Sequence, residues 1–204
     1  MAAPPAFNSR NPLEPGFWDE RFERGFTPWD RGGVPQALRD FAAASRPMVT
    51  LIPGCGAAYE LAYLCEQGWD ATAIDFAPAA VDKARAGLSQ YADRVVLADF
   101  FAWQAARPLQ LIYERAFLCA FPRAMWQQVA DRYAALLPAG ALLAGFFFFD
   151  ENEKGPPFGI TTERLDQLLS PYFERMADAA VSDSIRVFEG KERWQVWRRR
   201  ADKA

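Results

Sequence analysis

Residues 53–60 read PGCGAAYE, and Asp75 stands 19 positions beyond the second glycine. Gly54 and Gly56 carry no Cβ, so the loop can turn tightly and let a ligand reach its backbone. A carboxylate at the end of the next strand can accept hydrogen bonds from both hydroxyls of a ribose. The pair therefore points to a nucleoside-containing cofactor. A dinucleotide fingerprint asks for a third glycine where this chain has Tyr59. Its ring would crowd the helix start that a pyrophosphate needs. S-adenosylmethionine has no phosphate and asks only for the turn and the acid. On this motif alone, three readings stay open: an NAD(P)-dependent oxidoreductase, a cofactor-binding protein without turnover, and a plain α/β turn with a chance acid.

The absences narrow the chemistry. Of 204 residues none is histidine, which excludes His-based triads, His general bases and His metal sites. The three cysteines, Cys55, Cys65 and Cys119, form neither a disulfide framework nor a metal knuckle, and read as reduced thiols in the cytoplasm. No metal site is expected. A formal net charge of −3 gives no general attraction to nucleic acid or anionic membrane. The Arg198-Arg199-Arg200 knot reads as a solvated chain end. The start, MAAPPAFNSRNPLEPG, is a Pro-rich arm rather than a signal peptide. The longest apolar run, ALLAGFFFF, is nine residues, about half a membrane span.

Alternating elements must position the turn and the acid. MVTLI (48–52) is a β-branched apolar run bounded by prolines, a buried strand. The helix after the glycines carries Ala58, Leu61, Ala62 and Cys65 on one face, and Gly68 closes it. Further strands are expected at 70–75, 94–99, 109–119 and 141–149, with helices opening at Pro78, Pro122 and about 162. SIRVFEG (184–190) and RWQVWRR (193–199) read as a closing antiparallel pair. Short helices precede the first strand, at about 17–26 and 34–44. The pattern predicts one α/β domain over residues 1–204, with a Rossmann-like doubly wound, mostly parallel seven-stranded sheet and helices on both faces. Within it, residues 1–16 are expected to be a flexible arm and 17–45 a helical lid.

FWDERFERGFTPWDRGGVP, LIPGCGAAYELAYLCEQGWDATAIDFAPAAV, DFFAW and GPPF, in that order, resemble the thiopurine S-methyltransferase superfamily. That group includes plant and microbial thiol and halide methyltransferases. The resemblance runs from about Phe17 to Phe158. It implies a methyltransferase dependent on S-adenosylmethionine, with Trp18, Phe22 and Trp29 lining the cofactor pocket and Gly54 beside the methionine part. Asp75 would hold the ribose, Asp99 the adenine amino group, and the Phe100 backbone N–H a ring nitrogen. Arg115 is counted with these contacts; it matches the thiopurine branch, whereas TPWD and PGCG look like the halide/thiol branch. Trp29, Pro157 and Phe158 would face the methyl acceptor.

The missing imidazole fits a soft acceptor. A thiol of pKa about 8.5 is already a few per cent ionised at neutral pH, and a halide has no proton to lose. Alignment of nucleophile, methyl and departing sulfur can then supply roughly 7–11 kcal/mol without a base. No catalytic side chain is therefore assigned. Asp30, Glu114 and Asp150 are the carboxylates to suspect if a base is used. The expected partner is a small-molecule substrate of a monomeric protein.

Overall fold

We describe residues 6–201 of a computed structural model. Seven strands form one sheet in the order β3-β2-β1-β4-β5-β7-β6. The strands are β1 (Val49–Pro53), β2 (Asp70–Asp75), β3 (Val95–Leu97), β4 (Leu111–Arg115), β5 (Leu142–Phe148), β6 (Phe173–Ala180) and β7 (Glu192–Arg199). The first five are parallel, and β7 runs antiparallel to both β5 and β6.

Period-two alternation sends neighbouring side chains to opposite faces. Leu51, Ile112, Leu143, Phe147 and Trp197 enter one core beneath α5 (Trp126–Leu136) and α6 (Thr162–Leu169). Ile52, Leu111, Tyr113, Ala144 and Phe146 enter the other. That second core lies beneath α2 (Gln36–Ala43), α3 (Tyr59–Glu66) and α4 (Pro78–Leu88). The first helix, α1 (Pro15–Glu23), rests on α4 at the cavity end of the sheet; Asp19 Oδ1 accepts the Ala79 N–H of α4 at 2.8 Å.

The closing pair corrects one expectation. SIRVFEG is a loop, and the missing strand is β6, FERMADAA. β6 is an edge strand exposed along most of its length, so burial left little apolar pattern to read. SIRVFEG owes its apolar residues to packing under loops; Phe188 joins Cys119 and Phe148 in a small satellite core. The 94–99 and 109–119 segments also yield shorter strands than expected. After β4 the chain turns through Ala116, in the left-handed region at φ +54°, into a 3-10 turn at Leu118–Ala120. No helix among the described residues is long and apolar enough to cross a membrane.

Candidate active site

From β1 the chain runs outward through β2 and β3, then returns to the other side of β1 as β4. Connections leave β1 and β4 in opposite directions, and a crevice opens at their carboxyl ends. A cavity of about 720 Å³ lies there, lined by Gly54–Glu60, Asp75 and Arg115–Phe117 among others.

The glycine turn forms its floor. Gly54 and Gly56 take φ of +59° and +51°, and Ala58 follows at +54° before α3 begins. A Cβ on Gly54 would overlap Phe117 Cδ2, so the position is barred to side chains by a neighbour as well as by its backbone angle. Asp75 fastens the turn: Oδ2 accepts the Gly56 N–H at 3.1 Å and Oδ1 the Ala77 N–H at 3.0 Å. Burial raises this carboxyl to about pH 6 in spite of those donors.

Aromatic rings from the N-terminal segment make one wall. Trp18 and Trp29 meet edge to face at 5.4 Å, and Phe22 meets Trp29 at 6.0 Å. Trp18 Nε1 donates to Pro12 O at 2.9 Å, and Asn8 N donates to Glu20 Oε2 at 2.9 Å. The arm is thus hydrogen-bonded to the helix it precedes, and Phe7 and Arg10 reach the cavity.

The opposite wall hangs on Glu114. Its buried carboxylate accepts the N–H groups of Phe117 (2.8 Å) and Leu118 (3.1 Å) and the Tyr133 hydroxyl (2.6 Å). That anchoring sets Phe117 beneath Gly54 and turns Arg115 into the cavity. Arg115 Nη1 pairs with Glu192 Oε2 at 2.8 Å, and its guanidinium lies 4.4 Å from the Phe146 ring centre. Asp99 accepts the Phe101 N–H at 2.9 Å, capping its own turn, and lines the cavity together with Phe100.

The structure therefore brings Trp18, Phe22, Trp29, Gly54, Asp75, Asp99, Phe100, Arg115 and Pro157 to one cavity. Phe158, expected beside the acceptor, is not on that wall. Its N–H donates to Cys119 O at 2.7 Å and its ring packs against the main core. Of the suspected bases, Asp30 lines the cavity, whereas Glu114 lies behind the wall and Asp150 pairs with Lys191 at 2.6 Å. Cys55 and Cys119 line the cavity, but burial raises both thiols and keeps them protonated.

Sequence reasoning missed Glu60, Phe117 and the Val187-Phe188 tip, all on the cavity wall. Glu60 had a signal: an acid immediately after the glycine loop, with an apolar run, LAYLC, directly behind it. The 184–190 loop had none, because its apolar spacing imitates a strand.

A seven-stranded sheet of this order, with its cavity beyond β1 and a glycine turn held by an acid on β2, defines the Rossmann-like methyltransferase class. Its fold is shared with 1,6-didemethyltoxoflavin-N1-methyltransferase of Burkholderia thailandensis, solved with S-adenosylhomocysteine. The TM-score is 0.72 at 19% identity over 97% of this chain and 94% of that one. Magnesium protoporphyrin IX methyltransferase of Synechocystis is similar at TM-score 0.71 and 12% identity, over 95% and 100% of the two chains. Among curated sequences, a probable thiol methyltransferase 2 of Arabidopsis thaliana is 27% identical, over 90% of this chain and 85% of its own length. A thiopurine S-methyltransferase of Pseudomonas fluorescens is 29% identical, over 77% and 81%. The thiopurine S-methyltransferase family model matches residues 13–200. The chain belongs to that family and is an S-adenosylmethionine-dependent S-methyltransferase.

Proposed function

We propose that this enzyme methylates small, soft nucleophiles, with thiols (aromatic or alkyl) before halide or selenium and tellurium species, and that its own side chains supply no general base. The observation that carries the reading is a histidine-free cavity whose walls are aromatic rings and whose thiols are protonated.

The residues fit the cofactor. Gly54 and Gly56 present bare backbone to the cavity, and the Asp75 carboxylate, with about four acceptor sites, has room beyond its backbone donors. Asp75 takes the ribose hydroxyls, Asp99 and the Phe100 N–H the adenine edge, and Gly54 the methionine part. S-adenosylmethionine, when bound, supplies a methyl group on a cationic sulfur. Trp18, Phe22 and Trp29 offer ring faces that favour a cation and exclude water. Trp29 and Pro157 face the acceptor. Arg115 completes the wall, held in place by Glu192. An oxidoreductase reading is disfavoured because Tyr59 and the Glu60 carboxylate occupy the first turn of α3, where a pyrophosphate would sit.

The N-terminal segment serves as the lid. Deleting residues 1–30 is expected to abolish S-adenosylhomocysteine binding while leaving the sheet signal in circular dichroism. The protein acts as a monomer on small molecules in the cytoplasm, a setting that suits its three free thiols. The deciding experiment is methyl transfer from labelled S-adenosylmethionine to a panel of thiopurine, aromatic thiol, alkyl thiol, hydrogen sulfide, iodide and selenite. Turnover of none of them would overturn the reading.

A further inference from the structure

Glu60 is 8% exposed, yet it lines the cavity, and none of the cofactor or acceptor contacts proposed for that cavity involves it. Its hydrogen bonds among the described residues come from its own N–H and, at 3.5 Å, from the Tyr113 hydroxyl. That is thin satisfaction for a buried carboxylate, compared with the three donors around Glu114. The charges that face it are Arg115, whose Nη1 pairs with Glu192 while its buried Nη2 has no hydrogen-bond partner among the described residues and makes none to Glu60, and Asp30, which repels it. Burial raises its pKa, the mark of a carboxylate short of cationic partners.

Position narrows what the missing partner is. The cavity is graded along the sheet. Asp99 follows β3 and Asp75 ends β2, so adenosine-binding groups lie on one side of β1. Glu60 leans the other way, toward Tyr113 of β4. A cofactor whose nucleoside lies over β2 and β3 carries its amino-acid end across β1 toward β4. That end bears one cation that does not react, the α-ammonium group.

We propose that Glu60 receives the α-ammonium of the cofactor's methionine portion and so positions the methyl-bearing sulfur against the aromatic wall. The inference rests on the cofactor assignment above. A purely structural Glu60, favoured only by its place in the first turn of α3, would serve every ligand alike.

Calorimetry with two ligands separates these cases. S-adenosylhomocysteine carries the ammonium, and 5′-methylthioadenosine lacks the whole amino-acid end. In Glu60→Gln, affinity for S-adenosylhomocysteine should fall on the order of 10- to 150-fold, as expected for a lost hydrogen bond to a charged group. Affinity for 5′-methylthioadenosine should stay within about twofold. Equal losses for both ligands, or no loss for S-adenosylhomocysteine, would overturn the proposal. If wild-type protein binds neither ligand, the cofactor assignment itself fails and takes this inference with it. Should the Gln variant not fold by circular dichroism, Glu60→Asp supplies the same comparison. It keeps the charge but withdraws it by one methylene, and its loss must again be confined to S-adenosylhomocysteine.

Discussion

Asp75 Oδ2 accepts the N–H of Gly56 at 3.1 Å, so the acid at the end of β2 holds the glycine turn at the end of β1. One carboxylate thus shapes the floor of the cavity and presents free lone pairs above it. Asp75→Ala should weaken S-adenosylhomocysteine binding on the order of 10- to 150-fold. Asp75→Asn, which keeps an acceptor for one backbone donor, should lose less. Calorimetry of both variants checks the order, and an unchanged dissociation constant in Asp75→Ala would remove it from the site.

The same carboxyl predicts a pH dependence. Burial lifts it from 3.8 to about 6 in the free protein. Its folded-state pKa exceeds the unfolded one, so its contribution to stability is full at low pH and declines as pH rises through about 4 to 6. Ribose hydroxyls donate to the ionised form, so the sign reverses for binding. Affinity for S-adenosylhomocysteine should be flat above about pH 6 and fall toward tenfold per unit below it. Titrations from pH 5 to 8 should show the bend in wild type and not in Asp75→Asn.

Gly54 and Phe117 cannot both have side chains on the shared side of the turn. Gly54→Ala should cost about 1–3 kcal/mol through overpacking, or roughly 2–12 °C in Tm. Phe117→Ala in the same molecule should recover part of that loss, because the overlapping atom is Phe117 Cδ2. Additive losses in the double variant would show that backbone strain at φ +59° acts alone.

Glu114 lies behind the cavity wall rather than on it. With Tyr133 and two backbone donors on its oxygens, Glu114→Ala should destabilise the fold on the order of 3 kcal/mol. Thermal melts should show this, and kcat/KM should lose its pH profile in neither Glu114→Gln nor Asp150→Asn. For wild type the profile should follow the acceptor, shifting between a low-pKa aromatic thiol and a high-pKa alkyl thiol. A shared inflection for both thiols would reveal a protein base and end the base-free account.

Most of the scaffold is legible in the chain because burial writes a pattern of apolar residues. The continuous apolar runs at β1 and β5 are buried on both faces, as central strands of a parallel sheet demand. β6 failed that test for a physical reason: an edge strand with one deeply buried residue, Phe173, has no period to show. The site was legible where backbone chemistry restricts the residue, as at Gly54 and Asp75. It was not legible where tertiary placement decides. Phe117 and Phe188 look like any core aromatics until the fold sets one beneath the glycine turn and the other beside Cys119 on the cavity wall. Phe158 illustrates the converse: a motif residue whose ring the fold turns into the core.

The wall of the cavity is also joined across the length of the chain. Asp183 accepts Arg31 Nη1 at 2.8 Å and the Gln36 N–H at 2.9 Å, a separation of 152 residues for the arginine contact. Arg115 is likewise fixed by Glu192, which sits on β7 against β5. A nascent chain emerges from its N-terminus, and its early strands can pair as they appear. The pocket cannot mature with them, since the residues that brace Arg31 and Arg115 follow all five parallel strands in the chain. The cavity is therefore complete only once Asp183 and Glu192 are in place, and a chain truncated before residue 183 would lose both braces together with β7, the strand that pairs with β5 and β6.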